Sequence, residues 1–436
     1  MTFTKESIKQ EVHDKGVEFI RLEFTDMLGD TKNVELPIEE LESVLENEAM
    51  FDSSSISGFS DIQESDMYLY PDLSTFKVLP STVDEDPVAR FICDIYTTDG
   101  TPFEGDPRYI LKRAMEEAAE MGYTVNVGPE PEFFLFKLND EGYPIKKMND
   151  RGGYFDASPI DKGDKVRRDI VRTLKKFGFE MEASHHEVAM GQHEINFRFD
   201  DMLKAADNIQ TFKSVVKDVA TNHDYHATFM PKPIAGENGS GMHCHLSLFK
   251  DGESVFCDEK DEDGISVTMK HFMGGILKHA PGIAAITNPN VNSYKRLVPG
   301  YEAPVSIAWS HSNRSCMIRV PSTRGKGTRF EVRNPDPTAN PYLALAVTIQ
   351  AGLEGIRNKI DPGAAETRNL YEVHDDSVPT LPTNLKEALT ALRKDKVLMN
   401  ALGDHTSSIY LEEKEEEWTE YSLQVSQWET DKYMNK

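Results

Sequence analysis

Cysteine is scarce in this chain. It has four in 436 residues, Cys93, Cys244, Cys257 and Cys316, and none forms a Cys-x-x-Cys pair. That argues against a disulfide-built fold and for reduced thiols in a cytosolic, cytoplasmic protein. Long apolar runs are missing as well. None reaches the roughly 18 residues a membrane span needs, and Met1–Gln10 has no apolar segment of the secretory kind, so neither membrane nor export is expected. Basic charge is in deficit: 48 Lys and Arg stand against 74 Asp and Glu, a net charge of −26. No basic patch marks a helix, and an acidic surface of this kind repels nucleic acid and anionic lipid. There is no internal repeat, no Walker A sequence and no dinucleotide fingerprint. The loop from Gly236 to Gly241, GENGSG, precedes a strand instead of opening a helix, and by itself it reads as a turn.

With 39% hydrophobic and 28% charged residues, the chain is globular in composition and long enough for a large core. The first hundred residues read as a small mixed unit. Thr4 caps a helix running to Asp14, with Gly16 as its stop. Ile20, Leu22 and Phe24 alternate with polar residues as in a half-buried strand, Asn33–Leu36 is its partner, and Pro37 opens a short helix. Residues 51–66 form a polar, Ser-rich loop, long enough to suggest a function, and Val88–Ile95 is another strand. A boundary falls near residue 100, after which Asp106-Pro107 caps a helix. Strands are then expected at 123–127, 130–136, 179–183, 193–199, 226–230, 243–249, 316–320 and 328–333. Helices are expected at 164–177, 201–220, 268–280 and 341–358, with an acidic helical C-terminus from Asn384.

Four of these strands carry an unusual polar face. Residues two apart on a strand share a side. Glu130 pairs this way with Glu132, Glu194 with Asn196 and Arg198, His243 with His245 and Ser247, and Arg329 with Glu331 and Arg333. The opposite faces carry Ile195, Phe197 and Phe199, then Cys244, Leu246 and Leu248, then Phe330 and Val332. A solvated sheet face also alternates, but it favours Lys, Thr and Ser over Glu, His and Arg. A Glu-x-Glu pair is unfavourable unless cations separate the carboxylates. The expected fold is α+β, with a curved antiparallel sheet backed by helices and a concave polar cavity. Glu130, Glu132, Glu187, Glu194, His243 and Glu331 form a set suited to two or more Mg²⁺ or Mn²⁺ ions rather than Zn²⁺. With Arg296, Arg314, Arg319, Arg329 and Arg333 following in sequence, the pattern fits phosphoryl transfer from a metal-bound nucleotide.

Longer motifs sharpen this reading. They are FDSSSISGF (51–59), GPEPEFFLF (128–136), GGYFD (152–156), EASHHEVAMGQHE (182–194), FMPKP with NGSGMHCHLSL (229–248), NSYKRLVPGYEAP (292–304), NRS (313–315) and RFEVRNPDPTANPYLALA (329–346). In these the chain resembles glutamine synthetase of the prokaryotic type I class, short (alpha) form. The resemblance implies a β-grasp-like N-terminal domain over 1–100 and a catalytic domain over 101–436. It implies that ATP, glutamate and ammonia give glutamine, ADP and phosphate through a γ-glutamyl phosphate. It places Glu132, Glu187 and Glu194 on the metal nearer glutamate and ammonia, and Glu130, His243 and Glu331 on the metal of the ATP phosphates. Arg296 and Arg333, with Asn238 and Gly239, match the residues holding glutamate; Arg314 and Arg319 match those neutralising the transferred phosphoryl. His245, Ser247, Arg329 and Glu182 match nucleotide contacts, and Lys326 does so within a loop of different length. Glu302 matches the flap residue that closes over the intermediate, and Asp52 the aspartate that takes a proton from ammonium. The family forms two stacked six-membered rings, a dodecamer in which that aspartate serves a neighbouring subunit's site.

Relatives that ligate other amines tend to lose the ammonium-site carboxylates; Asp52 and Glu302 are both kept here, which favours ammonia. Three departures from the family pattern stand out. Ser53 replaces a usual Gly, at a cost of about 1 kcal/mol if the backbone is left-handed there. Met190 replaces a Pro. The third departure touches regulation. Asn369-Leu370-Tyr371 continues as Glu372-Val373-His374 and not as the adenylylated sequence of long-form relatives, and Asp61 stands where short-form relatives inhibited by glutamine often carry an Arg. Weak glutamine feedback and no modification at Tyr371 are therefore expected, with control left to substrate supply or a regulatory protein.

Overall fold

The computed structural model describes residues 3–59, 65–80, 86–373 and 375–436; Asp61 and His374 lie outside these. The N-terminal strands are β1 (Phe19–Thr25), β2 (Thr31–Pro37), β3 (Met50–Asp52), β4 (Asp66–Pro71), β5 (Lys77–Val78) and β6 (Val88–Thr97). They pair in the order β2-β1-β6-β4-β3, with β5 also on β6, and only β1 and β6 run parallel. The first helix, Lys5–Lys15, begins where Thr4 and Ser7 cap each other and ends at Gly16, whose φ of 62° suits glycine. Ile8, Ile20, Leu22, Phe91 and Ile95 fill the small core between that helix and the sheet.

The larger sheet is built from β7 (Thr124–Leu138), β8 (Pro144–Met148), β9 (Met181–His186), β10 (Gln192–Phe197), β11 (Asp200–Asp201) and β12 (Tyr225–Thr228). It continues with β13 (Met242–Lys250), β14 (Glu253–Ser254), β15 (Ser306–His311), β16 (Cys316–Val320) and β17 (Phe330–Val332). The main order is β15-β16-β17-β13-β7-β10-β9, antiparallel except for the parallel β15–β16 edge. That edge was expected neither as a strand at Ser306 nor as a parallel pair. The two strands expected at 123–127 and 130–136 are one, running through Pro129 and Pro131. Glu132 N–H donates to the Gly241 carbonyl on the β13 side, so the odd-numbered prolines face the other edge. There β10 starts pairing at Glu132 and β11 stops at Val127, so no partner needs the missing N–H.

Helices Pro107–Glu120, Asp164–Phe177, Met202–Thr221 and Pro341–Asn358 supply buried apolar faces, and with the apolar side of the sheet they form the main core. Phe133, Ile195, Phe212, Leu246 and Phe330 are buried there. The Pro341–Asn358 helix, capped by Asn340, lies against helix Val267–Thr287 at close range: a Cβ on Gly275 would fall 2.0 Å from the Ala351 carbonyl oxygen. The N-terminal unit is tied to this body by Arg108. Its buried guanidinium reaches Asp72 at 2.7 Å and Asp94 at 2.7 Å in the first unit, and Asp207 at 2.9 Å in the second. Ser53 is not among the described residues with a left-handed backbone, and its buried hydroxyl donates to the Ser65 carbonyl at 2.9 Å. The strain anticipated for that substitution does not arise.

His279, on the Val267–Thr287 helix, joins three helical segments. Its Nδ1 lies 2.5 Å from Asp395, which caps helix Lys396–Leu402, and its Nε2 lies 3.3 Å from Glu354, which Lys278 also holds at 3.0 Å. Burial opposes the imidazolium, but the bonds to Asp395 and Glu354 outweigh it and raise its pKa above the ordinary histidine value. A raised folded-state pKa means that this contribution is full below about pH 6.5 and is lost as pH rises through the higher folded value. Chemical denaturation should therefore find His279→Gln less stable than wild type by about 1–3 kcal/mol at pH 6. The gap should close towards pH 9; a constant gap across that range would show that the residue acts through packing alone.

Candidate active site

Strand register builds the site. Glu130 of β7 pairs with His243 of β13, and His245 pairs with Glu331 of β17, which pairs with Arg319 of β16. On the other side Glu132 pairs with Glu194 of β10, which pairs with His185 of β9. Alternation directs these side chains to the concave face, where they line a cavity of about 280 Å³. Among the described residues around it are six glutamates (Glu130, Glu132, Glu187, Glu194, Glu302, Glu331) and four arginines (Arg296, Arg314, Arg319, Arg333). The carboxylates outnumber the guanidiniums, so the cavity needs added positive charge.

The acids fall into two groups. In one, His185 lies 3.4 Å from both Glu187 and Glu194, and Glu132 completes the cluster. Burial and the charges of Glu187 and Glu194 push Glu132 well above the usual carboxylate range; burial and Glu194 push Glu187 up to about 7. One oxygen of Glu132 accepts from Gln192 at 2.8 Å and from Gly241 N–H at 2.9 Å, which fixes the carboxyl and leaves its other oxygen free. In the second group, His243 Nδ1 lies 3.3 Å from Glu331 and 3.7 Å from Glu130, and His245 Nε2 lies 3.0 Å from Glu130. Burial opposes the Glu130 charge, but hydrogen bonds from His243 and His245 hold its carboxyl well below the ordinary range. Burial likewise opposes Glu331, while His243 and Arg333 draw it down to about 2. Glu331 also binds Arg319 and Arg333 directly. Both groups fit divalent cations by donor chemistry. Three buried like charges with one imidazole form one, and two carboxylates bracketed by two imidazoles form the other.

Arg296 is buried and spends its N–H groups on the carbonyls of Arg333, Asn334 and Pro335, at 3.2, 2.7 and 3.3 Å. No carboxylate pairs with it among the described residues, so its charge remains for an anion. The loop holding Asn238 and Gly239 lies against it, close enough that a Cβ on Gly239 would meet the Pro231 oxygen at 2.2 Å and Arg296 Cγ at 3.1 Å. Glu302 has a left-handed φ of 56° and accepts from Asn238 at 3.1 Å. Arg314 is held by Tyr154, and its carbonyl accepts from Tyr371 at 3.0 Å.

Other expected residues lie further out. Arg329 donates to His245 at 3.3 Å, and Ser247 continues the same face of β13. Glu182 is exposed, and Lys326 pairs on the surface with Glu253 at 3.1 Å. Asp52 is exposed and accepts from Ser54 N–H at 2.9 Å; this subunit does not bring it to the cavity. Arg198 and Phe199 depart from the expected alternation. The ladder shifts between Asn196 and Phe197 and β10 ends there, so Arg198 points to Glu180 at 2.7 Å on the surface. Phe199 crosses to the polar side: a Cβ on Gly128 would lie 3.3 Å from Phe199 Cβ and 3.7 Å from His245 Cβ. Tyr154, His185, Gln192 and Tyr301 line the cavity without having been singled out. Only His185 carried a signal, its two-residue spacing from Glu187.

Comparison with known proteins gives a consistent result. The family model "Glutamine synthetase, catalytic domain" matches residues 104–433, and "Glutamine synthetase, beta-Grasp domain" matches 16–98. A glutamine synthetase of Staphylococcus aureus is 54% identical over 441 residues, covering 100% of this chain and 99% of its own. One of Thermus thermophilus is 55% identical over 444 residues with the same coverage. Among solved structures, a GmaS–ADP complex superposes with a TM-score of 0.91 at 32% identity over 100% of both chains. Plasmodium falciparum glutamine synthetase does so with 0.88 at 28% identity over 99% of each.

The crowded carboxylates make a prediction about cations. Mg²⁺ at about a hundred times its Kd should raise the stability of EDTA-stripped protein by about 2.7 kcal/mol. Stripped Glu132→Gln should melt at least as high as stripped wild type, because a buried carboxyl whose ionisation burial and its neighbours oppose is gone, but should lose most of the Mg²⁺ gain and its turnover. A full Mg²⁺-induced shift in that variant would remove Glu132 from the cation site.

Proposed function

We propose a division of labour among these side chains from one premise: the chain belongs to the glutamine synthetase family. It is a glutamate–ammonia ligase, and it assimilates nitrogen by making glutamine from glutamate and ammonia with ATP. The observation that carries our reading of the site is the single cavity in which six glutamates face four arginines. Two anions, a carboxylate and a triphosphate, have to meet there.

In this reading Glu132, Glu187 and Glu194 hold one divalent cation, and Glu130, His243 and Glu331 another, as Mg²⁺ or Mn²⁺, two or more per site. Bound there, the cations neutralise the phosphates and the developing charge. Arg296 and Arg333, with Asn238 and Gly239, hold glutamate. A side-chain carboxylate oxygen of glutamate attacks the γ-phosphorus, the bond to ADP breaks, and Arg314 and Arg319 offset the charge in flight. ATP lies along β13 and β17, against His245, Ser247 and Arg329, with Glu182 and Lys326 at the rim. Ammonium loses a proton to Asp52, ammonia attacks the acyl carbon and phosphate leaves. Glu302 closes over the intermediate and keeps water away.

The proposed domains are 1–100, β-grasp-like, and 101–436, catalytic. Asp52 sits outside its own subunit's cavity, which supports a homo-oligomer with sites between subunits, and we read the assembly as a dodecamer of two hexameric rings. Exposed Leu423, Val425, Trp428 and Met434 near the C-terminus support burial against another subunit. A cytoplasmic location accords with four free cysteines and with the lack, among the described residues, of a helix long and apolar enough to cross a membrane. Control through a regulatory protein remains part of the reading.

An assay of phosphate release and ligated product, with glutamate, ATP and either ammonium or a panel of amines, tests the reaction. Ammonium should be the preferred nucleophile and yield phosphate and glutamine in equal amounts; preference for an alkylamine would overturn this. For the shared site, Asp52→Ala and Arg296→Ala subunits, each inactive alone, should regain part of the activity when co-assembled, since some interfaces then pair two intact halves. Mixed oligomers as inactive as either parent would place Asp52 outside the neighbour's chemistry.

A further inference from the structure

We propose that Lys232 is a latch that holds the Tyr301–Glu302 loop closed while the acyl phosphate waits for ammonia, an inference that rests on the reaction course given above. Lys232 lies between Pro231 and Pro233 and is 8% exposed. Its backbone is fixed from both sides by Asn292: Lys232 N–H donates to Asn292 Oδ1 at 2.8 Å, and Asn292 Nδ2 donates to the Lys232 carbonyl at 3.1 Å. Asn292 directly precedes the short helix Ser293–Arg296, so the lysine is anchored to the segment that carries Arg296.

The ammonium is placed differently from a structural lysine. Among the described residues no carboxylate pairs with it. It donates to the Glu237 carbonyl, and Nζ stands 3.7 Å from the centroid of the Tyr301 ring. The Glu237 charge acts on it from beyond ion-pair range, and an aromatic face is among the few groups that further compensate a buried ammonium, more so where water is excluded. Tyr301 lines the cavity and adjoins Glu302, whose backbone is left-handed and whose carboxylate accepts from Asn238 Nδ2 at 3.1 Å. Two loops, 236–241 and 298–303, therefore meet at two points: the Asn238–Glu302 side-chain bond, and one cation that grips a carbonyl of the first loop and a ring of the second. Releasing the ring would leave the second loop tied to the first only by the Asn238–Glu302 bond, with Arg296 and the acidic groups still in place.

The consequence of release is chemical. A water oxygen attacks the acyl carbon of the γ-glutamyl phosphate, the bond to phosphate breaks, and glutamate and phosphate return. The net reaction is ATP and water to ADP and phosphate, with no glutamine made. A lysine that only supported the Glu237 loop would alter glutamate KM and leave this partition untouched.

The experiment measures phosphate and glutamine together in the assembled enzyme at limiting ammonium. Wild type should give a one-to-one ratio. In Lys232→Met the ratio of phosphate to glutamine should rise at least about twofold as water reaches the intermediate. Tyr301→Leu should do the same, and the double variant should go no higher than the larger single effect. Lys232→Arg, which keeps a cation over the ring, should return the ratio towards one-to-one. Tight coupling in both single variants, with or without a change in glutamate KM, overturns the latch; if Lys232→Met does not fold, Tyr301→Leu alone decides. Should wild type itself release phosphate independently of ammonium, the reaction course fails first and the latch with it.

Discussion

Repulsion among Glu132, Glu187 and Glu194 is the constraint around which the rest is arranged. Two unit charges about 4 Å apart oppose each other by about 4 kcal/mol at an effective dielectric of 20. Chains do not gather three such groups under cover unless a rigid frame forces them together. Here the frame is the β7–β10–β9 ladder, in which Glu132 faces Glu194 directly and Glu194 faces His185. Burial keeps the carboxyls from relaxing into water, and the Gln192 and Gly241 donors hold one oxygen of Glu132 so that it cannot turn away. The site is thus preorganised for added positive charge, with the unfavourable term absorbed by the core behind the sheet.

Behind that ladder sits a second buried layer. His186 Nδ1 lies 2.7 Å from the Glu187 carbonyl and Nε2 2.9 Å from Asp150; burial opposes the imidazolium, but these two acceptors outweigh it and raise the pKa above the ordinary histidine value. His193 Nδ1 instead faces the Arg167 guanidinium at 2.8 Å, a donor, and burial with Arg167 depresses its pKa to about 3, so it is neutral. Two histidines in one buried layer shift in opposite directions because their partners differ. His186 lies behind the acidic group, and Asp150 ties the segment through N–H donors from Gly152, Lys162 and Gly191. The Glu187 backbone is therefore held from behind through its carbonyl, as the side chain in front requires.

How much of this could be read from the sequence depended on whether one period held. Glu130 with Glu132, His243 with His245, and Arg329 with Glu331 and Arg333 were legible because a strand offers only two faces. Phe199 was not, because a register shift at Asn196 sends it to the side opposite the one its spacing implied. The gap expected between 127 and 130 is absent, since Pro129 and Pro131 sit where the sheet has no partner that needs their missing N–H. The parallel β15–β16 edge is set by long-range topology and leaves no local mark. Tyr301 and Lys232 were visible only as parts of motifs; what joins them is a contact across 69 positions of chain, which no periodicity encodes.

The two units of the chain meet through polar groups rather than apolar surface alone. Arg108 is shared by three carboxylates, and Asn340 donates to the carbonyls of Asp26 and Met27 at 3.0 and 3.2 Å while its own oxygen caps the Pro341–Asn358 helix. Gln210 adds bonds to Thr25 and to the Gly29 carbonyl. Such contacts are directional, so they fix the angle between the units as apolar packing would not. A fixed angle matters for a residue such as Asp52, which projects from β3 away from its own cavity: any site it serves in another subunit receives it only if the whole N-terminal unit is held at a set orientation. The buried Arg108 cluster therefore constrains where the Asp52 carboxylate points.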